Sequence, residues 1–111
     1  MAREIDTDRL EAAGDVQLVD VRTQEERDAG RIPNDTAHIP FDELLARAPE
    51  LARDKPLVFY CRVGERSAAA ADAFAASGYD AMSLTGGIVA WEDSGRSVEG
   101  QIGNPSGLPP K

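Results

Sequence analysis

Hydrophobic residues in this sequence fall into short runs that turn residues separate from stretches with helical spacing. The runs at residues 17–21, 57–60 and 81–84 are bounded by glycine or proline and predict buried strands. A shorter run at residues 37–39 predicts a fourth strand. Because strands that alternate with helices need crossover connections, the pattern predicts an α/β fold with a parallel sheet covered by helices on both faces.

The intervening stretches predict five helices, at residues 7–13, 23–29, 41–47, 67–76 and 88–91. The fourth is nearly all alanine, the strongest helix former, and Gly78 is well placed to end it. The third is expected to place four apolar residues on one side: Phe41, Leu44, Leu45 and Ala48.

The length of 111 residues fits one domain, predicted over residues 1–99, and the Gly/Pro-rich segment 100–111 is predicted to be a flexible tail. Neither a signal peptide nor a membrane-spanning apolar run is evident, so a cytoplasmic protein without a membrane partner is expected. The net charge of −8 repels phosphate backbones, which argues against nucleic acid as a partner.

The chain has one cysteine, Cys61, and one histidine, His38. A single cysteine excludes an internal disulfide and a Cys-rich zinc site, and neither a metal nor a cofactor is predicted. On its apolar-flanked strand, His38 is expected to pack and form hydrogen bonds rather than to take part in catalysis.

Cys61 follows one predicted strand and precedes the alanine-rich helix, which places it at the carboxyl edge of the sheet, where α/β folds bind ligands. The backbone N–H groups of the loop, a bend at Gly64 and the helix N-terminus would form an anion cradle. Arg62 and Arg66 add positive charge, so the thiol is expected to have a depressed pKa. The alternative is that Cys61 is a small buried hydrophobe, but such a residue needs neither arginine.

Residues 61–67, Cys-Arg-Val-Gly-Glu-Arg-Ser, resemble the C-R-x-G-x-R-[ST] active-site loop of single-domain rhodanese-like sulfurtransferases. Four further segments resemble motifs of that family in the expected order: residues 20–22, 25–33, 38–44 and 86–91. The loop has six residues from Cys61 through Arg66. The related phosphatases and arsenate reductases have a loop one residue longer, so the resemblance points away from their chemistry.

The resemblance implies a rhodanese-like fold with a central five-stranded parallel sheet. It also implies that Cys61 takes sulfane sulfur from thiosulfate or a protein persulfide donor, and that a thiol or cyanide removes it. Arg62 and Arg66 would hold the anionic donor, while Asp20 and Arg22 would support the loop by charge pairing. The implied substrate-binding loop consists of Arg62, Val63, Gly64, Glu65, Arg66 and Ser67.

Four features depart from the family pattern, the first of which is Arg31 in place of the histidine of the family's G-H-I-P segment. Arg27 replaces an aromatic residue, residues 33–37 contain one extra residue, and Glu65 brings a carboxylate into the loop. Glu26 has two open interpretations: it completes a capping box with Thr23, or it pairs with the loop arginine Arg66 as in the related phosphatases.

Three functions therefore compete: an enzyme acting on small donors and acceptors, a persulfide carrier, and a non-catalytic interaction module. The carrier would receive sulfur from a desulfurase or another sulfur-relay protein. An intact Cys61 with both loop arginines favours the first two, and the sequence does not separate them.

Overall fold

The structure, a computed structural model, describes residues 3–100 and contains one five-stranded sheet. All pairings are parallel, in the order β1-β5-β4-β2-β3, which confirms the predicted α/β fold. The strands are β1 (Arg3–Ile5), β2 (Gln17–Asp20), β3 (Ala37–His38), β4 (Leu57–Tyr60) and β5 (Ala81–Leu84). The sequence pattern had not indicated β1, which is short and lies at the sheet edge beside β5.

Helices cover both faces of the sheet. They are α1 (Thr7–Ala12), α2 (Gln24–Ala29), α3 (Leu44–Arg47), α4 (Glu65–Ala76) and α5 (Gly87–Asp93). Successive residues of β4 enter different cores because side chains of a strand alternate between faces. Phe59 packs with Leu44 and Phe74 of α3 and α4, whereas Val58 packs with Leu10 and Ile88 of α1 and α5.

Residues 41–47 do not form the continuous amphipathic helix that was predicted. A 3₁₀ turn (Phe41–Glu43), the short α3 and a second 3₁₀ turn (Ala48–Glu50) follow one another. Leu44 is buried, but Leu45 is 82% exposed, so the prediction of one shared apolar face was wrong. Because a 3₁₀ turn has three residues per turn rather than 3.6, the mixed segment does not keep one helical stripe.

Helix α4 begins at Glu65, two residues before the predicted start. Its N-cap is Gly64 in a left-handed conformation, φ 111°. Arg66 and Ser67 therefore lie in the first helical turn, close to the end of β4. Within residues 3–100, no helix is long and apolar enough to cross a membrane. Of the predicted tail, all but Gly100 lies outside the described residues.

Polar contacts hold α2 in place, since none of its residues is buried. Arg22, which follows β2, donates hydrogen bonds to the carbonyl oxygens of Glu26 (3.4 Å) and Gly30 (2.6 Å). Arg27 on the same helix bonds Asp20 at the end of β2. The position of α2 at the carboxyl edge of the sheet therefore depends on charged residues.

Candidate active site

Cys61 immediately follows β4 and lies beneath the loop that leads into α4. Its sulfur accepts a hydrogen bond from the N–H of Gly64 at 3.1 Å and another from the N–H of Ser67 at 3.5 Å. The Ser67 hydroxyl lies 3.5 Å from the same sulfur. With Cys61 only 1% exposed, these neutral donors supply the polar surroundings that water would otherwise provide.

The pKa of the Cys61 thiol reflects a balance between burial and hydrogen bonding. Burial raises it, because a thiolate loses hydration. The Ser67 hydroxyl and the N–H groups of Ser67, Gly64 and Arg66 together outweigh burial, and the pKa is lowered. The thiolate, which is the nucleophilic form, is therefore favoured without a histidine base.

Two glycines allow the loop to fold closely around the sulfur. Gly64 has φ 111°, a conformation that L side chains rarely adopt, and its N–H points to the Cys61 sulfur. Gly87, at the start of α5, lies so close to the carbonyl oxygens of Cys61 and Arg62 that a Cβ would overlap them. The N–H groups of Ile88 and Val89 bond those same carbonyls, which anchors the start of the loop to α5.

Glu26 fulfils both interpretations that the sequence left open. The capping box with Thr23 is complete. The Glu26 carboxylate also accepts two hydrogen bonds from the Arg66 guanidinium, at 2.8 and 2.9 Å. Arg66, together with the capping contacts of Thr23, lowers the pKa of Glu26 to about 2 despite its partial burial. One carboxylate thus joins α2 to the first turn of α4.

The remaining loop side chains form an exposed rim. Arg62, Val63 and Glu65 are all exposed. Arg62 has no hydrogen bond or ion pair from its side chain to another residue within 3–100, in contrast to Arg66. A cavity of about 260 Å³ lies beside Arg62, between α2 and α5. Ile88, Val89 and Val98 contribute apolar walls to it, and Glu26 and Glu92 contribute carboxylates.

Asp20 and Arg22 pair with each other rather than with the cysteine loop. The Arg22 guanidinium donates to both carboxylate oxygens of Asp20 at 2.9 Å, and both residues are buried. Arg22 also bonds the backbone of α2, which carries Glu26 to Arg66. The route from this pair to the loop therefore passes through α2.

Two of the departures from the family pattern meet in one ion pair. Arg27, which replaces the aromatic residue, donates to both carboxylate oxygens of Asp35, at 2.7 and 3.0 Å. Asp35 lies in the segment that contains the extra residue and also accepts a hydrogen bond from the Tyr60 hydroxyl at 2.8 Å. Arg27 bonds Asp20 as well. The lengthened segment thus supplies the carboxylate that a half-buried arginine needs.

Sequence reasoning missed Ser83, which lies on β5. Its hydroxyl is 2.8 Å from that of Ser67, and both serines are 0% exposed. A serine within a strand carries no motif, and 16 residues separate the two in sequence. His38 does hydrogen-bond as predicted: its Nε2 lies 2.7 Å from the carbonyl oxygen of Arg22.

Known proteins resemble this chain both in sequence and in fold. The family described as Rhodanese-like domain matches residues 6–94. A sulfurtransferase of Allochromatium vinosum is 39% identical over 103 residues, which cover 88% of this chain and 95% of that protein. The crystal structure of a rhodanese-related protein from Thermoplasma volcanium has a TM-score of 0.81 and 34% identity, covering 87% of this chain and 97% of that one.

A rhodanese-like domain protein from Staphylococcus aureus is also similar, with a TM-score of 0.78 and 35% identity. The match covers 90% of this chain and 99% of that one. These similarities confirm the fold and the resemblance predicted from the motifs. They also support a role in sulfur transfer.

Proposed function

The chain belongs to the rhodanese-like domain family, and from that premise we propose that it is a sulfurtransferase carrying sulfane sulfur as a persulfide on Cys61. One observation carries the proposal: the buried Cys61 sulfur meets neutral donors from Gly64 and Ser67 at the start of α4. Such donors favour the thiolate that starts the reaction, and a persulfide would hold its anionic outer sulfur one bond beyond Cys61, beside the same loop.

The proposed reaction has two displacements. The Cys61 thiolate attacks the sulfane sulfur of thiosulfate, the S–S bond to the sulfonate group breaks, and sulfite leaves with its electron pair. Cys61 then carries a persulfide anion. Cyanide, or a thiolate acceptor, attacks the outer sulfur, and Cys61 leaves as the thiolate with which the cycle began. No external oxidant or reductant is consumed.

The two loop arginines would have different roles. Arg66 is committed to Glu26 through two hydrogen bonds, which supports a role in shaping the loop. Arg62 is exposed beside the cavity between α2 and α5, which supports a role in attracting the anionic donor. We therefore assign the binding of the negatively charged donor chiefly to Arg62.

The burial of Cys61 limits what can react with it. At 1% exposure, the sulfur is accessible only to a small molecule or to a sulfur on an extended group. Thiosulfate meets this requirement, and so does a persulfide at the tip of a partner's loop. The proposed partners are thus a small sulfur donor with a thiol or cyanide acceptor, or a desulfurase or other sulfur-relay protein.

Intact mass spectrometry tests the proposal. The protein is incubated either with thiosulfate or with a cysteine desulfurase and cysteine, and its mass is then measured before and after adding cyanide. We expect a gain of one sulfur atom that cyanide removes. The Cys61→Ser variant should fold and gain none, because its hydroxyl does not ionise near neutral pH.

The donor that loads the protein distinguishes the two modes of action. Loading by thiosulfate indicates an enzyme for small substrates, whereas loading only by the desulfurase indicates a carrier. A wild-type protein that gains no sulfur from either source, or a Cys61→Ser variant that gains as much, would contradict the proposal.

A further inference from the structure

Ser83 is the innermost member of a chain of polar groups that ends at the Cys61 sulfur. Its hydroxyl lies 2.8 Å from the Ser67 hydroxyl, which lies 3.5 Å from the sulfur. Ser67 and Ser83 are both 0% exposed, so bulk solvent does not reach their hydroxyls. Within residues 3–100, Ser67 is the sole hydrogen-bonding partner of the Ser83 hydroxyl.

Counting protons fixes the direction of these hydrogen bonds. Each serine hydroxyl has a single proton to donate. A thiolate sulfur can only accept, so Ser67 must donate its proton to Cys61. The Ser67 oxygen then accepts the proton of Ser83, and both hydroxyls point toward the sulfur. When Cys61 is a thiol, its S–H can donate to Ser67 and both hydroxyls can reverse.

We propose that Ser83 is a positioning residue that orients and polarises the Ser67 hydroxyl toward Cys61, favouring the anionic sulfur without touching it. Hydrogen bonds in a chain strengthen one another, and the effect is greatest where water is absent. The inference rests on the proposed function in one respect, which is that sulfur transfer requires the anionic form of the Cys61 sulfur. The hydrogen-bond chain itself is independent of the sulfur donor.

The charged groups around the sulfur do not involve Ser83. Arg66 on α4 interacts electrostatically with Cys61, and Arg66 is itself paired with Glu26 from α2. Asp20 on β2 also acts on Arg66, and Arg62 adds a charge at the exposed rim. Replacing Ser83 with alanine should leave these four charges in place. A change in thiol ionisation would then report the hydroxyl alone.

The test measures the rate of Cys61 alkylation by iodoacetamide as a function of pH. We compare the wild type with Ser83→Ala, Ser67→Ala and the double variant. Ser83→Ala should move the inflection to higher pH and slow alkylation below it by about 1.3-fold to fivefold, the loss expected if about 10–30% of the strength of a charge-assisted hydrogen bond disappears. Ser67→Ala should have a larger effect, and the double variant should match Ser67→Ala.

Two controls separate polarisation from packing. Ser77→Ala makes the same change at the C-cap of α4, where an exposed serine donates a hydrogen bond to the carbonyl oxygen of Ala73, and the inflection should not move. Ser83→Thr restores a hydroxyl and should restore the wild-type inflection. An unchanged inflection in Ser83→Ala would overturn the proposal. The same shift appearing in the Ser67→Ala background would also overturn it, because it would indicate a packing effect.

The outcome is distinguishable from failure of the proposed function. If Ser83→Ala moves the inflection but the wild type gains no sulfur from any donor, the role of Ser83 stands and sulfur transfer fails. If sulfur is gained but Ser83→Ala leaves the inflection unchanged, sulfur transfer stands and the role of Ser83 fails.

Discussion

Two strand ends at the carboxyl edge of the sheet bury polar groups in opposite ways. At the end of β2, Asp20 and Arg22 are buried as charges, and every charge has an ionic partner. At the end of β4, Cys61 is equally buried but is surrounded by neutral donors from Gly64 and Ser67. The charges of the cysteine loop lie instead at its partly or fully exposed margin.

The difference separates a scaffold from the proposed reactive centre. The buried charges at the β2 end are already paired with each other, which suits this end of the sheet to holding α2. Hydrogen bonds from the donors around a thiol become stronger when the thiol loses its proton, so the β4 end stabilises the thiolate relative to the thiol. The Arg66–Glu26 pair connects the two regions. Helix α2 is held by Arg22 at the β2 end, and its Glu26 contacts the loop at the β4 end through Arg66.

Removing one charge from the scaffold should have the largest effect. Asp20→Asn leaves Arg22 and Arg27 without their shared carboxylate, and an uncompensated buried charge costs about 3–5 kcal/mol. Urea unfolding should report a loss of that size. The control Asp80→Asn breaks an exposed pair with Arg3 and should cost about 1 kcal/mol or less. Equal losses in the two variants would mean that the β2 network is no more than a surface ion pair.

Removing the exposed loop arginine should affect chemistry and leave the scaffold intact. Arg62→Ala should lower kcat/KM for thiosulfate about tenfold to hundredfold, since a charge-assisted hydrogen bond is worth about 1.5–3 kcal/mol. Sulfur release to a neutral thiol should change much less. Arg9→Ala removes the same charge from an exposed position on α1 and should change neither rate. Equal losses with thiosulfate and thiol would indicate a structural role for Arg62.

The stability that the Glu26–Arg66 pair contributes by connecting the two regions should depend on pH. Glu26→Gln keeps the capping box but loses the charge pair with Arg66. The folded pKa of Glu26 is about 2, below its usual 4.5, so the pair stabilises the fold above pH 4.5 and the stabilisation is lost as pH falls toward 2.

Because the pair is partly exposed, the stability difference between wild type and Glu26→Gln should be at most about 1 kcal/mol at pH 6. It should vanish only below pH 2, where Glu26 is protonated in the folded protein as well. Unfolding measured at several pH values checks this. The exposed Glu25→Gln on the same helix should give no such trend. A difference that grows as the pH falls would contradict the assignment.

The smallest effect is expected at Glu65. Because Glu65 is exposed and has no ion pair within residues 3–100, it repels an anionic donor only through solvent. Glu65→Gln should raise kcat/KM for thiosulfate by about twofold at low salt, and the gain should fade near 0.1 M salt, where screening acts over about 10 Å. Unchanged or lower activity at every salt concentration would show that Glu65 is not inhibitory.

Sequence patterns predicted the parts of the fold that local composition determines. The predicted runs 17–21, 57–60 and 81–84, which contain β2, β4 and β5, are mostly apolar, so burial and strand formation follow from the residues themselves. Strand β1 has one buried residue, Ile5, and exists because β5 offers it an edge. The exposure of Leu45 likewise depends on turns that no helical period describes.

The candidate site likewise contains residues that the sequence could identify and residues that it could not. The loop from Cys61 to Ser67 is contiguous in sequence, so a motif can identify it. Ser83 joins the site only because β5 lies beside β4, and Asp35 meets Arg27 only because the segment before β3 folds over α2. Contacts between distant residues of ordinary type leave no local signal, and the structure was needed to find them.

The most direct test of the account is the titration of Cys61 in the wild-type protein. Burial alone would raise the thiol pKa, whereas the hydrogen-bond donors of Ser67, Gly64 and Arg66 lower it. Alkylation by iodoacetamide, followed from pH 5 to 10, is predicted to show an inflection below the free-cysteine value of about 8.5. An inflection at or above that value would contradict the claim that the β4 end stabilises an anionic sulfur.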